Sequence, residues 1–202
     1  QEYSLEKIGA AEEAEGVSEE IAKLIADEGV RIKRDGSRTV CEIWLCKELP
    51  IDASFEASPV RLYPFQPGQL MGLLHFPRRG SEFRDQDVSS GWYTLRFGLQ
   101  PIDGNHVGTS PTRDFFVLVA AENDDLPENW EEEALVEASA EAAGSSHPAM
   151  LCLQRPVEGA EPSLRHDEAN DWWILHLLAN TVADQKSKTA PLDVVVVGHA
   201  AE

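Results

Sequence analysis

The chain has 202 residues, and its 42% hydrophobic content argues against disorder. No stretch approaches the roughly 18 consecutive apolar residues that a membrane-spanning helix needs. Thirty-six Asp and Glu residues against 17 Lys and Arg residues give a net charge of −19. This charge disfavours nucleic acid and anionic lipid surfaces as partners, because both are polyanions.

The N-terminal region predicts an arm followed by a helix. Residues 1–16 are rich in Glu, Ala and Gly, which indicates a flexible arm before a single domain over residues 17–202. The chain begins at Gln1 rather than Met, so we expect that a signal segment has been removed and that the protein is periplasmic or extracellular. Ser18 as an N-cap and Gly29 as a stop predict a helix near residues 18–28.

Short strands separated by turn-rich connections dominate the rest of the chain. A second helix, rich in Glu and Ala, is predicted near residues 131–143 and ends at Gly144. The strands do not alternate regularly with helices, which favours an antiparallel β-sandwich or jelly roll with two peripheral helices over a doubly wound sheet. The predicted strands are 30–33, 39–47, 70–76, 92–100, 115–121, 148–154, 171–178 and 192–198.

The three cysteines, Cys41, Cys46 and Cys152, lack the spacing of a haem or structural zinc site, and no cofactor is expected. Cys41 and Cys46 lie five residues apart on one predicted strand, so their side chains point to opposite faces. We favour three small buried residues. The alternative is that one of them pairs with Cys152 in an oxidising compartment.

A long polar turn follows the strand at residues 92–100. It carries Asp103, Asn105, His106, Arg113 and Asp114. Functional interpretations are a ligand loop, a weak metal site at Asp103 and His106, or a catalytic centre using His106, Arg113 and Asp114. The structural interpretation is a polar hairpin in which Arg113 donates to carbonyl groups and Asp114 closes the hairpin.

The strand before this turn has two distinct faces. Tyr93, Leu95, Phe97 and Leu99 alternate along it and predict a core face. The opposite face carries Trp92, Thr94, Arg96 and Gln100. Left exposed, this polar-aromatic face would suit a carbohydrate-like ligand, with Trp92, Arg96 and Gln100 as contacts; the alternative is that a helix or the N-terminal arm covers it.

These segments also resemble a group of uncharacterised exported bacterial β-sandwich proteins. The resemblance is carried by YTLRFGLQP at Tyr93–Pro101, DGNH at Asp103–His106 and RDF at Arg113–Phe115. It extends to CEIWLCKELP at Cys41–Pro50 and SSHPAML at Ser145–Leu151, and therefore spans most of the chain. The resemblance implies a fold and export, but no activity.

The sequence favours a non-enzymatic, acidic binding or accessory module, as a subunit of a larger envelope or extracellular assembly. Its expected partners are a protein or a carbohydrate-like ligand. The alternative is a hydrolytic or metal-assisted enzyme with its site in residues 103–114. No nucleophile elbow, phosphate-binding loop or HExxH motif supports a specific enzyme class.

Overall fold

The computed structural model describes residues 2–101 and 110–200. Within these ranges the chain forms thirteen strands and two α-helices. The helices are α1 (Glu19–Ala22) and α2 (Glu132–Ala143). The strands are β1 (Tyr3–Ile8), β2 (Gly29–Arg34), β3 (Arg38–Leu45), β4 (Leu49–Pro50), β5 (Leu70–Phe76), β6 (Gly80–Ser81), β7 (Asp87–Val88), β8 (Gly91–Leu99), β9 (Asp114–Ala120), β10 (Met150–Gln154), β11 (Ser163–Asp167), β12 (Trp172–Ala183) and β13 (Lys186–Val197).

Eleven of the described strands form one sheet, in the order β1-β2-β3-β5-β8-β9-β10-β13-β12-β11, with β4 beside β12. All pairs are antiparallel except β4 with β12. The sheet curls until its ends approach each other. The rings of Tyr3 on β1 and Trp173 on β12 lie 5.2 Å apart, and Lys7 Nζ lies 3.1 Å from Glu161 Oε2.

The core lies between the two halves of this curled sheet. Tyr93, Leu95 and Phe97 of β8 are buried in the same apolar cluster as Leu192, Val194 and Val196 of β13. The inward face of β8 is the one that the alternating pattern predicts. The prediction of a mainly β, sandwich-like fold with two helices is confirmed.

The two helices follow the sequence signals to different extents. Gly144 ends α2 in the left-handed conformation at φ 60°, as predicted. Ser18 caps α1 by accepting a hydrogen bond from Ile21 N, but α1 ends at Ala22, well before Gly29. The cause is tertiary: Ala26 N donates to Leu45 O, and Lys47 N donates to Leu24 O. Pairing with the end of β3 thus replaces the predicted helix after its first turn.

The prediction of a flexible arm is wrong for Tyr3–Ile8, which pairs along its whole length with β2. Its outward face is ionic rather than apolar, and this explains the low hydrophobic content. Glu6 Oε2 lies 3.2 Å from Arg31 Nη1 and 2.8 Å from Lys33 Nζ. Beyond the strand, Gly9 O accepts a hydrogen bond from Trp44 Nε1 at 2.8 Å.

Residues 182–190 lie between the last two predicted strands, and in the structure they complete a long hairpin. Ala183 pairs with Lys186, and the pairing continues back to Trp173. Asp184 and Gln185 form the two-residue turn with φ values of 50° and 62°. Positive φ at both turn positions suits a tight hairpin, because the turn then matches the twist of the strands. Polar composition here reflects solvent exposure rather than irregular backbone.

Candidate functional site

The polar-aromatic face of β8 is covered by residues 121–130, which we call the covering segment. Arg96 is fully buried, and it forms a two-pronged ion pair with buried Asp124: Nε to Oδ2 at 2.9 Å and Nη2 to Oδ1 at 2.7 Å. Its other N–H groups donate to the carbonyl oxygens of Gly68, Leu126 and Glu128. All five guanidinium donors are used, so Arg96 holds the covering segment and is closed to an external ligand.

Two further residues of the predicted face also have structural contacts. The Trp92 ring is half-buried and stacks on His75 at 4.3 Å between centroids and on Trp44 at 5.4 Å. Gln100 is buried, and its backbone N–H donates to Arg113 O at 2.7 Å. The face is thus closed at Arg96, but by the covering segment and not by a helix or the N-terminal arm, the covers that the sequence suggested.

The structure describes only part of the polar turn that follows β8. Asp103, Asn105 and His106 lie outside the described residues, and so do the metal and catalytic interpretations that use them. Arg113 Nε donates to Gln100 O at 2.8 Å, as the structural interpretation predicts. Its backbone N–H donates to Val60 O at 2.9 Å.

Asp114 is fully buried and accepts hydrogen bonds from the backbone N–H groups of Leu62 and Tyr63 at 2.9 and 3.0 Å. Burial raises the pKa of the Asp114 carboxyl, and these two hydrogen bonds oppose the rise. Asp114 therefore joins the start of β9 to the connection before β5.

A buried polar network that the sequence did not reveal joins β10, β12 and β13. His176 Nδ1 lies 2.6 Å from Asp193 Oδ1, and Asp193 Oδ2 lies 2.5 Å from Arg165 Nη1. The Tyr63 hydroxyl donates to Gln154 O at 2.6 Å and accepts from Asp193 N at 2.9 Å. Asp193 thus supplies a hydrogen-bond partner for His176 Nδ1. Its Nε2 is buried against Gly159 without a hydrogen-bond partner.

A cleft of about 880 Å³ opens at one end of the curled sheet. We call it the arginine cleft. Arg34 and Arg38 close the β2–β3 hairpin, and Arg78 and Arg79 follow β5, which is the next strand in the sheet. Because β3 and β5 are antiparallel neighbours, these four side chains lie along one side of the cleft.

The other side of the cleft is aromatic. It comes from the β11–β12 turn and the end of β13, and it includes Trp173, His166 and His199. His166 stacks on Trp173 at 4.7 Å between ring centroids, and its Nε2 lies 2.9 Å from Asp171 Oδ1. Tyr3 of β1 lies between the two sides, since it pairs with Arg34 and contacts Trp173.

The loop that carries Arg78 and Arg79 is anchored from below. Glu82 is buried and accepts hydrogen bonds from the backbone N–H groups of Arg84 at 2.7 Å, Gln86 at 3.1 Å and Met150 at 2.9 Å. Desolvation raises the pKa of the Glu82 carboxyl. Phe83 fills the space between Phe115 and Trp172, with ring centroids 6.0 and 5.4 Å away. These contacts fasten residues 82–86, which follow the two arginines, to β10 and to the aromatic rings of Phe115 and Trp172.

The arginine cleft is rich in positive charge, whereas the molecule as a whole is strongly negative. Four of the 17 Lys and Arg residues of this −19 chain line it, against two aspartates. Arg34 and Arg38 are direct cross-strand partners, an arrangement of like charges that costs stability. Arg34 Nε lies 3.5 Å from Asp35 Oδ2, and Arg79 Nη1 lies 3.1 Å from Asp87 Oδ2. Arg38 and Arg78 have no ion-pair partner in residues 2–101 and 110–200. These two exposed guanidinium groups can donate hydrogen bonds to a carboxylate, sulfate or phosphate group.

Sequence reasoning missed this cleft, because its residues come from five separate segments. The adjacent pair Arg78-Arg79 in an acidic chain was its one visible signal. Within the described residues, no group of three or more His, Cys, Asp or Glu side chains is placed to hold a metal ion. No described helix is both long enough and apolar enough to cross a membrane.

Comparisons with family models, curated proteins and solved structures found no match for this chain.

Proposed function

We propose that this protein is a binding module and that the arginine cleft is its ligand site. The observation that carries the proposal is the convergence of four arginines beside an aromatic surface in a chain of net charge −19. Asp35 compensates Arg34 and Asp87 compensates Arg79, so Arg38 and Arg78 are the two cleft arginines that an anionic ligand would pair with. The volume of about 880 Å³ lies within the range of small-molecule sites.

The enzyme alternative at residues 103–114 has less support. The Arg113 Nε group and both Asp114 carboxylate oxygens are occupied by backbone groups of the connection and hairpin. A role in a larger assembly, export and kinship with the exported β-sandwich group stay predictions. Among the predicted partners, a ligand in the cleft is the one that the geometry favours.

The test is calorimetric titration at low ionic strength with three anionic probes: inorganic sulfate, citrate and trigalacturonate. We expect saturable binding of at least one probe, weakened about tenfold or more in the double variant Arg38→Gln/Arg78→Gln. Both arginines are exposed, so the double variant is expected to fold. Arg155→Gln, which removes an exposed arginine outside the cleft, is the matched control and should bind like the parent. Absence of binding by all three probes, or equal binding by the double variant, would overturn the proposal.

A further inference from the structure

We infer that the ligand of the arginine cleft is a short acidic saccharide with about one carboxylate per sugar ring. This inference rests on the proposed function and adds the chemical class of the ligand. It combines two features of the cleft, the guanidinium groups on one side and the aromatic rings on the other.

The guanidinium side selects for an anion of planar, forked geometry. A guanidinium presents paired N–H donors that match the two oxygens of a carboxylate. Arg38 and Arg78 both have free donors facing solvent at the cleft, and Thr39 and Ser81 beside them add hydroxyl groups that can bond to sugar hydroxyls.

The aromatic side selects for a ring. Trp173, the stacked His166 and Tyr3 form an amphipathic surface of flat rings, against which the C–H faces of a sugar can pack. Asn170 at the same side supplies an amide group. A bare inorganic anion would leave this surface and most of the cleft volume of about 880 Å³ unused.

The charge of the whole molecule limits how much negative charge the ligand can carry. At −19, the protein repels anions at long range, and each additional ligand charge adds to that repulsion. One carboxylate per ring spreads the charge thinly, whereas a nucleotide concentrates several charges on its phosphates. A long polyanion would also extend beyond the cleft into the acidic surface. These considerations favour a short uronate oligomer.

The experiment compares four ligands by calorimetry on the complete chain. Trigalacturonate has three rings and three carboxylates, its methyl ester keeps the rings without the charge, and citrate keeps three carboxylates without the rings. ADP is the fourth. We expect trigalacturonate to bind at least tenfold more tightly than each of the other three.

Two variants separate the contributions. Arg38→Gln should weaken both trigalacturonate and citrate, whereas Trp173→Leu should weaken trigalacturonate and leave citrate unchanged. His166→Ala, at an exposed position, repeats the second comparison without altering the half-buried tryptophan.

Each outcome has a distinct meaning. Equal binding of citrate and trigalacturonate would overturn the saccharide inference and leave the binding module standing. Tighter binding of ADP would also overturn it, in favour of a nucleotide ligand. Equal binding of the methyl ester would overturn the inference that the ligand is acidic, because the carboxylates would then contribute nothing to binding. Failure of sulfate, citrate and trigalacturonate alike would overturn the proposed function itself.

Discussion

Removing the Arg96 guanidinium with Arg96→Met should destabilise the protein strongly, and the structure sets the size of the effect. Methionine replaces the aliphatic part of the arginine side chain as far as about Nε, but it lacks every donor. Asp124 would remain fully buried with donors only from Thr94 Oγ1 and Trp130 Nε1. The carbonyl groups of Gly68, Leu126 and Glu128 would each lose a donor.

An uncompensated buried charge of this kind costs about 3–5 kcal/mol in free energy of unfolding. With a urea dependence of about 2 kcal/mol per M, the unfolding midpoint should fall by about 2 M. The double variant Arg96→Met/Asp124→Leu removes both charges, so no charge stays buried without its partner. Its unfolding midpoint should therefore be closer to that of the parent than the midpoint of Arg96→Met alone.

Urea denaturation followed by tryptophan fluorescence measures this difference, and Arg79→Met supplies the matched control. Arg79 and Asp87 form the same type of ion pair, but their side chains are 74% and 70% exposed. Loss of an exposed pair costs about 0–1 kcal/mol. If the unfolding midpoint of Arg96→Met is as close to the parent value as the midpoint of Arg79→Met, the Arg96–Asp124 ion pair does not hold the covering segment in place.

Three other experiments test separate parts of the structure. Asp114→Ala should lower the free energy of unfolding by about 2–5 kcal/mol, because two buried backbone N–H groups lose their acceptor; chemical denaturation measures it, and a loss under 1 kcal/mol contradicts the bonding described. A thiol reagent should label the native protein only on unfolding, since burial raises the pKa of Cys152 to about 11 and of the other two thiols to about 12; rapid labelling of folded protein would show an open thiol. The folded-state pKa of Glu82 lies above its ordinary value of 4.5, so its stabilising contribution is complete below that pH and is lost as the pH rises through the folded-state pKa. The stability of the parent relative to Glu82→Gln should therefore decrease as the pH rises above 4.5, and a pH-independent difference would contradict the raised pKa.

Local patterns in the sequence predicted the parts of the fold that local physics decides. The alternation of Tyr93, Leu95 and Phe97 identified the core side of β8, and the composition of α2 with its terminal Gly144 identified that helix. The strand Tyr3–Ile8 escaped because its outward residues are charged, and their ionic partners lie on another strand. A period-two pattern predicts a strand from its apolar face, and it predicts poorly where that face is only partly buried and therefore less apolar.

The candidate site depended on information that a single sequence does not carry. Arg96 on an otherwise polar face looked like a surface contact, because its partner Asp124 is 28 residues away. The arginine cleft combines residues from β1 to β13, so only the curl of the sheet reveals it. The polar turn was conspicuous for the opposite reason, since its unusual residues are adjacent in the chain. Of those residues, Arg113 donates a hydrogen bond to the backbone of Gln100, and Asp114 accepts one from the backbone of Leu62.

The meeting of the two ends of the sheet has a consequence for how the molecule matures. Contact between Tyr3 and Trp173 joins parts of the chain separated by 170 residues, and such distant contacts are slow to form during folding. Both sides of the arginine cleft depend on this meeting. The cleft therefore cannot form until synthesis has passed residue 199 and β1 has met β12, because its lining runs from Tyr3 to His199. Its two sides would thus be among the last parts of the fold to come together.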